Sequence, residues 1–333
     1  MIRNLWYAVL ESRELKDAPL GLTRLGERLV FWRAPDGRPV CFFDRCAHRG
    51  AALALGKVCE GGTIQCPFHG LEYDASGRCV RIPANGRDAP VPPEFKMARY
   101  PTYEACGIIW IWWGDASREP SEGIGAPPFF EDLMGMKDWT TVRDPWDNHY
   151  TRVLENQLDV VHLPFVHHNT IGRGHKTLVE GPGLEWRGDT LFFVYVFNKK
   201  DDGSRPRSPK EVPVPPEDRD FKLELIFPNL WENHISEKVR LLGIFVPVDE
   251  THTLLYLRFY QGFTRLPGLK ELIGAVASRF NLVVAHQDRR VVNTQIPKGD
   301  GIGKGELLIP GDLPIMEFRK KRMELRKAAE SKR

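Results

Sequence analysis

Several features that would assign a sequence at once are missing from this one. No apolar run approaches the roughly 18 uninterrupted residues that a membrane-crossing helix needs, so no such helix is expected. The opening residues, Met1-Ile2-Arg3-Asn4-Leu5-Trp6-Tyr7, lack the long apolar stretch of a secretory leader, which points to the cytoplasm. Neither sign of charge dominates: 47 Lys and Arg stand against 44 Asp and Glu, and a net charge of +3 argues for neither nucleic acid nor an acidic substrate as partner. There is no internal repeat, no low-complexity tract and no Gly-x-Gly-x-x-Gly element, so the chain has no dinucleotide fingerprint of its own. Disulfides rarely persist in the cytoplasm, so the six cysteines need another reading. Five of them fall between positions 41 and 79, a clustering that favours metal binding.

A chain of 333 residues is longer than one core usually serves, and 42% hydrophobic with 27% charged residues is ordinary for a globular protein. Two domains are expected, 1–115 and 116–333, in an α+β chain. From 22 to 113 short apolar runs are broken by Gly, Pro and Asp. Examples are Leu29-Val30-Phe31-Trp32, then Pro35-Asp36-Gly37, then Val40-Cys41-Phe42-Phe43, and later Leu71-Glu72-Tyr73-Asp74 and Gly107-Ile108-Ile109-Trp110-Ile111-Trp112-Trp113. This pattern predicts a small antiparallel β domain. The Gly- and Pro-rich stretch 114–128 predicts a linker. In the second half a helical period covers 150–163 and is stopped by Pro164. Strand-like runs follow at 191–197, 221–227, 239–248 and 253–263, then a long helix at 269–292. Together they predict an antiparallel sheet flanked by helices. The charged, proline-containing stretch 199–220 reads as a loop rather than a lid, and 317–333 reads as a solvated terminal helix.

The first chemical motif is Cys46-Ala47-His48 and, after 17 intervening positions, Cys66-Pro67-Phe68-His69. Each half supplies one thiolate and one imidazole. A [2Fe–2S] centre held by two cysteines on one iron and two histidines on the other needs that set. Gly50, Pro67 and Gly70 suit tight loops around such a cluster. A Cys2His2 zinc site has the same ligand count, but zinc fingers usually separate a Cys pair from a His pair. The remaining thiols, Cys41, Cys59, Cys79 and Cys106, are expected to be buried.

The second motif is the segment from Glu155 through Asn156, Asp159, His162 and Pro164 to His167 and His168. Asp159 and His162 are three apart, which on a helix places them on one face. His167 follows five residues later, beyond the proline. Two histidines and one carboxylate make a facial triad that leaves positions open on Fe(II). His168 is the alternative second ligand, with a poorer spacing.

Cys46-x-His48-x17-Cys66-x2-His69 resembles the Rieske signature, and Asn156, Asp159, His162 and His167 match the Asn-x2-Asp-x2-His-x4-His segment of Rieske non-heme iron oxygenases. The opening Asn4-x-Trp6-Tyr7 and the late helix extend the resemblance over most of the chain. Respiratory Rieske proteins carry one further cysteine in each loop; here Ala51 and Phe68 stand there, which moves the chain toward the oxygenase type. The resemblance implies a third iron ligand on a late helix, for which Asp288 is best placed; an ordinary surface ion pair is its alternative. His286 is either a neighbour of that site or a plain polar position. The resemblance also implies that Asp159 bridges to a cluster histidine of a neighbouring subunit in a head-to-tail trimer, so that electrons pass from cluster to His162 and the iron between two chains.

Within that family the chain is short and resembles the vanillate and dicamba O-demethylase group. What this implies is a terminal oxygenase with a [2Fe–2S] cluster and a mononuclear Fe(II). It would use O2 and electrons from NAD(P)H through a separate reductase, with or without a ferredoxin, to hydroxylate or demethylate a small aromatic or cyclic substrate. Ring cis-dihydroxylation is the alternative within the class. An electron carrier without oxygenase activity and a zinc-stabilised binding protein are the alternatives outside it. Phe165, Phe227, Trp231 and Phe245 are expected to line the substrate pocket.

Overall fold

The structure, a computed structural model, describes residues 1–114, 124–216, 222–299 and 305–331. It divides into two compact units, Met1–Pro128 and Phe129–Arg333. Most of the expected linker, 115–123, lies outside the described residues.

The first unit runs through β1 (Trp6–Glu11), β2 (Leu20–Arg24), β3 (Glu27–Arg33), β4 (Pro39–Phe43), β5 (Lys57–Val58), β6 (Ile64–Gln65), β7 (Glu72–Tyr73), β8 (Cys79–Arg81), β9 (Arg99–Tyr100), β10 (Thr102–Ala105) and β11 (Ile108–Trp112). They form three antiparallel sheets, ordered β1-β11-β10, β2-β3-β4-β9 and β5-β6-β7-β8. β11 is built of Ile and Trp, residues that fill a pleated, buried surface well, and Ile108 through Ile111 are all buried. β10 turns into β11 through Cys106 and Gly107, both at positive φ. A two-residue hairpin of that hand requires this at both positions. The turn leaves Cys106 only half-buried, and Cys59 is half-buried as well, so of the four spare thiols only Cys41 and Cys79 are in the core. Val30, Trp32, Phe42, Ile64 and Tyr73 pack together into a core that also takes in Cys46 and Cys66. Each such large side chain contributes about 1.5–3 kcal/mol by leaving water.

The second unit runs through α1 (Glu131–Met134), β12 (Trp139–Trp146), α2 (Tyr150–Leu158), α3 (Leu163–Val166), β13 (Gly183–Arg187), β14 (Leu191–Tyr195), β15 (Lys222–Ile226), β16 (Leu230–Ser236), β17 (Val239–Pro247), β18 (Thr253–Gln261), α4 (Leu269–Val292) and α5 (Leu313–Glu330). Its strands form one antiparallel sheet ordered β12-β18-β17-β16-β15-β14-β13. Three of them, β12, β13 and β16, go beyond the four runs read from the sequence. β12 contains Asp144-Pro145, and β13 begins on Gly183 and carries Glu185 and Arg187. Both are edge strands, where a missing donor or a charge is tolerated. β16 is central but reads as polar because Glu232 and His234 are buried in it, held by Glu224 and Arg240. Residues 199–216 form no helix or strand of the main sheet, in keeping with a loop; Phe221 and 217–220 lie outside the described residues.

Three expectations are corrected here. The helix expected over 150–163 ends at Leu158, with Asp159 extended at its C-cap, and a second short helix starts at Leu163. Pro164 does not stop a helix; it sits in the first turn of α3, where its missing N–H costs nothing. The terminal helix is not simply solvated either. α5 buries Phe318, and its Arg319 forks onto Glu155 of α2 at 2.8 Å through both Nε and Nη2. α4 lies on β12 and β18. A Cβ at Gly274 would collide with Thr140 of β12, so glycine sets how closely this helix approaches the sheet. Among the described residues no helix is long and apolar enough to cross a membrane.

Candidate metal centres

In the first unit, two loops of the same shape present the Cys-His pairs. The Cys46 N–H donates to the Ala51 carbonyl (2.9 Å) and the Gly50 N–H to the Cys46 carbonyl (2.9 Å). In the other loop the Cys66 N–H donates to the Leu71 carbonyl (2.8 Å) and the Gly70 N–H to the Cys66 carbonyl (3.1 Å). Gly50 and Gly70 close these turns at φ of 75° and 73°, a region that favours glycine. Both thiols are buried, while His48 and His69 are exposed, with ring centroids 4.7 Å apart. Burial pushes the Cys66 thiol up, against the pull of the Phe68 and His69 backbone amides. The Tyr73 hydroxyl stands 3.1 Å from Cys46 Sγ. Two inner sulfurs and two outer imidazoles form a donor set that fits a cluster with one thiolate-held and one imidazole-held iron. All six cysteines are free. Phe68 is exposed and packs on the His69 ring at 3.8 Å between centroids.

In the second unit the turn between α2 and α3 is folded by Asp159. Its Oδ1 accepts the backbone N–H groups of Val161 (2.7 Å) and His162 (3.3 Å), a local carboxylate turn. Asp159 and His162 therefore come together through this turn and not along one helix face, with Asp159 Oδ2 3.5 Å from His162 Nδ1. His167 follows α3, and the chain then passes so close to Leu163 that a Cβ at Gly172 would strike its carbonyl. Asp288 projects from α4 toward both imidazoles. Its Oδ1 lies 2.9 Å from His167 Nε2 and 3.4 Å from His162 Nε2. The alternative of a surface ion pair with its arginine neighbours is set aside, since Asp288 is only 4% exposed.

One ligand atom from each of His162, His167 and Asp288 lies within 4.8 Å of the others. Asp288 Oδ1 is buried without a hydrogen-bond partner, and both Nε2 atoms face it. These three atoms can hold one divalent cation, leaving the rest of its coordination sphere to other molecules. Burial pulls the His162 pKa down, but the carboxylates of Asp159 and Asp288 outweigh it and hold it at about 9. For Asp288 burial works upward and the two histidines outweigh it, giving about 2. The site thus demands positive charge between its carboxylates.

Several side chains fall elsewhere. His168 is exposed and its Nδ1 turns to the Phe165 carbonyl (3.1 Å), away from Asp288. His286 pairs with Asp144 (3.2 Å). Asn156 sits beside Asp159 with its Nδ2 buried and unpartnered. Of the aromatic residues expected to line a pocket, only Trp231 does so. Phe165 is 62% exposed, and Phe227 and Phe245 belong to the packed core, Phe227 against Trp186 and Phe318. The cavity next to the three ligand atoms is lined instead by aliphatic side chains from four elements and their connections, among them Val160, Leu163, Val196, Leu223, Leu241 and Val284. Val284 is one turn before Asp288, so a single helix face supplies a ligand atom and a wall. Sequence reasoning also passed over Gln287. Its Oε1 lies 2.8 Å from His167 Nδ1 and accepts from Thr170 Oγ1 (2.8 Å), while its Nε2 donates to Asn169 (2.9 Å). Adjacency to Asp288 was the one signal available.

Comparison with known proteins agrees with this geometry. Residues 5–103 match the Rieske [2Fe-2S] domain, and residues 146–328 match the vanillate O-demethylase oxygenase C-terminal domain. The oxygenase component of dicamba O-demethylase from Stenotrophomonas maltophilia is 34% identical over 171 residues, covering 50% of this chain and 48% of that protein. The iron-sulfur subunit TsaM1 of the toluene-4-sulfonate monooxygenase system of Comamonas testosteroni is 33% identical over 174 residues, covering 51% and 48%. These matches thus span about half the length of the curated relatives. The structure of Pseudomonas putida CBB5 NdmA with caffeine superposes with a TM-score of 0.78 at 26% identity, covering 99% of this chain and 92% of that one. With a Rieske domain followed by this C-terminal domain, the chain belongs to the Rieske non-heme iron oxygenases of the vanillate O-demethylase type, whose cofactors are a [2Fe–2S] cluster and a mononuclear Fe(II).

Proposed function

We propose that this chain is the terminal oxygenase of a multicomponent system, hydroxylating or demethylating a small aromatic or cyclic substrate. O2 is the co-substrate, and electrons come from NAD(P)H through a separate reductase, with or without a ferredoxin. Residues 1–115 form the cluster domain, with Cys46, His48, Cys66 and His69 as ligands. Residues 116–333 form the catalytic domain, with His162, His167 and Asp288 on the iron. The observation that carries this reading is the convergence of three ligand atoms on one wall of an apolar cavity, Asp288 Oδ1 being buried with no other partner.

When bound, the cluster supplies single electrons and the iron supplies oxygen chemistry that amino-acid side chains do not perform. The chain's own residues do the rest. Gln287 holds the Nδ1 side of His167, and the Asp159 carboxylate stands 3.5 Å from Nδ1 of His162, so each ring presents its Nε2 to the metal position. The aliphatic walls keep water away from the reacting centre and place the substrate beside it. Asp159 and Asn156 also line a second, polar depression with Glu155, Glu306 and Asp312. A carboxylate reachable from two sides suits a bridge to a cluster histidine of a second copy, and we take the working assembly to be a homotrimer. Six free cysteines suit a reducing compartment, and we place the enzyme in the cytoplasm.

The test is iron and sulfide content, with a low-temperature EPR spectrum of dithionite-reduced protein purified without air, followed by oxygen uptake. About three irons and two sulfides per chain with a Rieske-type signal, and uptake that depends on substrate, support the reading. About two irons, with none gained on adding Fe(II), leave an electron carrier in its place.

A further inference from the structure

The cavity beside the metal position has walls that say what kind of molecule they are built for. β16 crosses it with Trp231 and Asn233, two residues apart on a strand and therefore on the same face. The intervening Glu232 points to the opposite face, with Arg240 3.3 Å away. In register, Asn233 has Leu223 of β15 on one side and Leu241 of β17 on the other, and both leucines line the cavity too. Asn233 is thus an amide set into an aliphatic row with no polar neighbour across either strand. Its Oδ1 is buried without a hydrogen-bond partner, and so is the Nε1 of Trp231. Trp231 stands beside Gly243 in register, and a Cβ at that glycine would come within 3.2 Å of the indole and 2.9 Å of the Phe245 ring.

A buried polar group left unpaired carries the cost of its lost hydration with nothing to offset it. Two of them sit on one strand, on residues that both line one apolar cavity, where a ligand's polar edge can complete them. The charge of the lining narrows the ligand further. Among the described residues no Lys or Arg lines this cavity, and its ionisable groups are Asp159, Asp288 and the two histidines that face them. An anionic substrate would enter next to two carboxylates with no guanidinium or ammonium to receive it.

We propose that Trp231 and Asn233 are specificity-determining residues that select an uncharged, mainly hydrocarbon substrate carrying a hydrogen-bonding edge of the amide, lactam or hydroxyl-ketone kind. The indole N–H, which can only donate, takes the acceptor, and the Asn233 amide takes the neighbouring polar atom. Val160, Leu163 and Val284 cover the remainder of the molecule. The group to be oxidised then lies at the opposite end, toward His162 and His167. This assignment rests on the oxygenase reading for its meaning, but its binding preference can be measured without turnover.

The experiment uses the full chain with both metals loaded and isothermal titration of matched pairs: 4-methoxybenzamide against 4-methoxybenzoate, and 6-methoxy-2-naphthamide against 6-methoxy-2-naphthoate. The neutral member of a pair is expected to bind at least about tenfold more tightly, one hydrogen-bonded contact with no opposing charge. Trp231→Phe and Asn233→Leu are each expected to weaken the amides about five- to tenfold. Asn233→Lys is expected to turn the preference toward the carboxylates. A general loss of structure would not reverse a preference, so this variant separates recognition from folding. Equal or tighter binding of the carboxylates by the wild type, binding of neither amide, or amide affinity unchanged in both Trp231→Phe and Asn233→Leu overturns the assignment. Iron content and oxygen uptake, recorded on the same samples, report on the oxygenase reading separately.

Discussion

His167 Nδ1 lies 2.8 Å from the side-chain oxygen of Gln287, the residue immediately before Asp288 on the same helix. One stretch of α4 therefore touches both ends of the His167 ring: Gln287 holds Nδ1 and Asp288 faces Nε2 at 2.9 Å. Gln287 is itself fixed by Thr170 and Asn169 from the turn after α3. His162 is arranged in the same sense, with Asp159 on its Nδ1 side and Asp288 on its Nε2 side.

Replacing Gln287 by Leu removes the acceptor that orients His167 and receives Thr170 Oγ1, and the donor to Asn169 Oδ1. Affinity for the mononuclear iron is expected to fall about 10–100-fold. Gln287→Glu, which keeps an acceptor at the same place, is expected to retain most of it. Equilibrium dialysis against graded iron, with the cluster absorbance as internal reference, measures both. Equal affinity in wild type and Gln287→Leu would remove Gln287 from the site.

Asp288→Ala is expected to take iron from about three to about two per chain, with the Rieske-type EPR signal preserved. The metal analysis and spectrum come from one sample. Full iron content in that variant would require a different carboxylate.

Asp159→Asn keeps the shape of the turn, because an amide oxygen can still accept from Val161 and His162. Both metals are expected to remain, while turnover falls by about two orders of magnitude or more, as when one member of a hydrogen-bonded unit is removed. Single-turnover kinetics with a pre-reduced cluster locate the defect. Loss of the iron in this variant would make Asp159 a structural support of His162 and nothing further.

Arg319 joins α5 to α2 through a two-pronged contact with Glu155 and a further one with Glu306 at 2.6 Å. It is 7% exposed, as is Glu155. Arg319→Ala leaves a buried carboxylate without its partner and is expected to cost about 3–5 kcal/mol. The neighbouring Arg152, 3.1 Å from Glu155, offsets part of that. Urea unfolding of the two proteins measures it, and a difference below about 1 kcal/mol would place this contact with ordinary surface pairs.

Glu232, fully buried in β16, has its pKa raised to about 7, by burial and by Asp132 and Glu224 against the pull of His234. A raised folded-state value means that folding favours the protonated form. The contribution is fully present below the ordinary value near 4.5 and is lost as pH rises through about 7. Glu232→Gln, neutral at every pH, is expected to gain stability relative to wild type between pH 5 and 8, by roughly 1–3 kcal/mol at the upper end. Thermal unfolding across that range shows it. A difference independent of pH would mean that Arg240 keeps Glu232 ionised throughout.

The sequence alone determined the chemistry that depends on residue type and short spacing. Cys46-x-His48 and Cys66-x2-His69 each fit within one tight loop, so a local rule was enough to read the cradle. His162 and His167 lie within one short segment, and the short apolar runs of β3, β4, β11, β17 and β18 announced themselves for the same reason. What sequence could not decide is set by contacts across long separations. Asp288 and Gln287 stand 126 and 120 positions from the histidines they face in the fold. Only the packing of α4 on β12 and β18 makes one a ligand candidate and the other its support. The cavity walls follow the same logic: Phe227 and Phe245 look suited to a pocket but fill the core, whereas Asn233 looks like a loop residue and sits in the wall. Alternation along a strand says which residues share a face. Only the sheet's register and the helices laid on it decide which face meets the core and which meets the substrate.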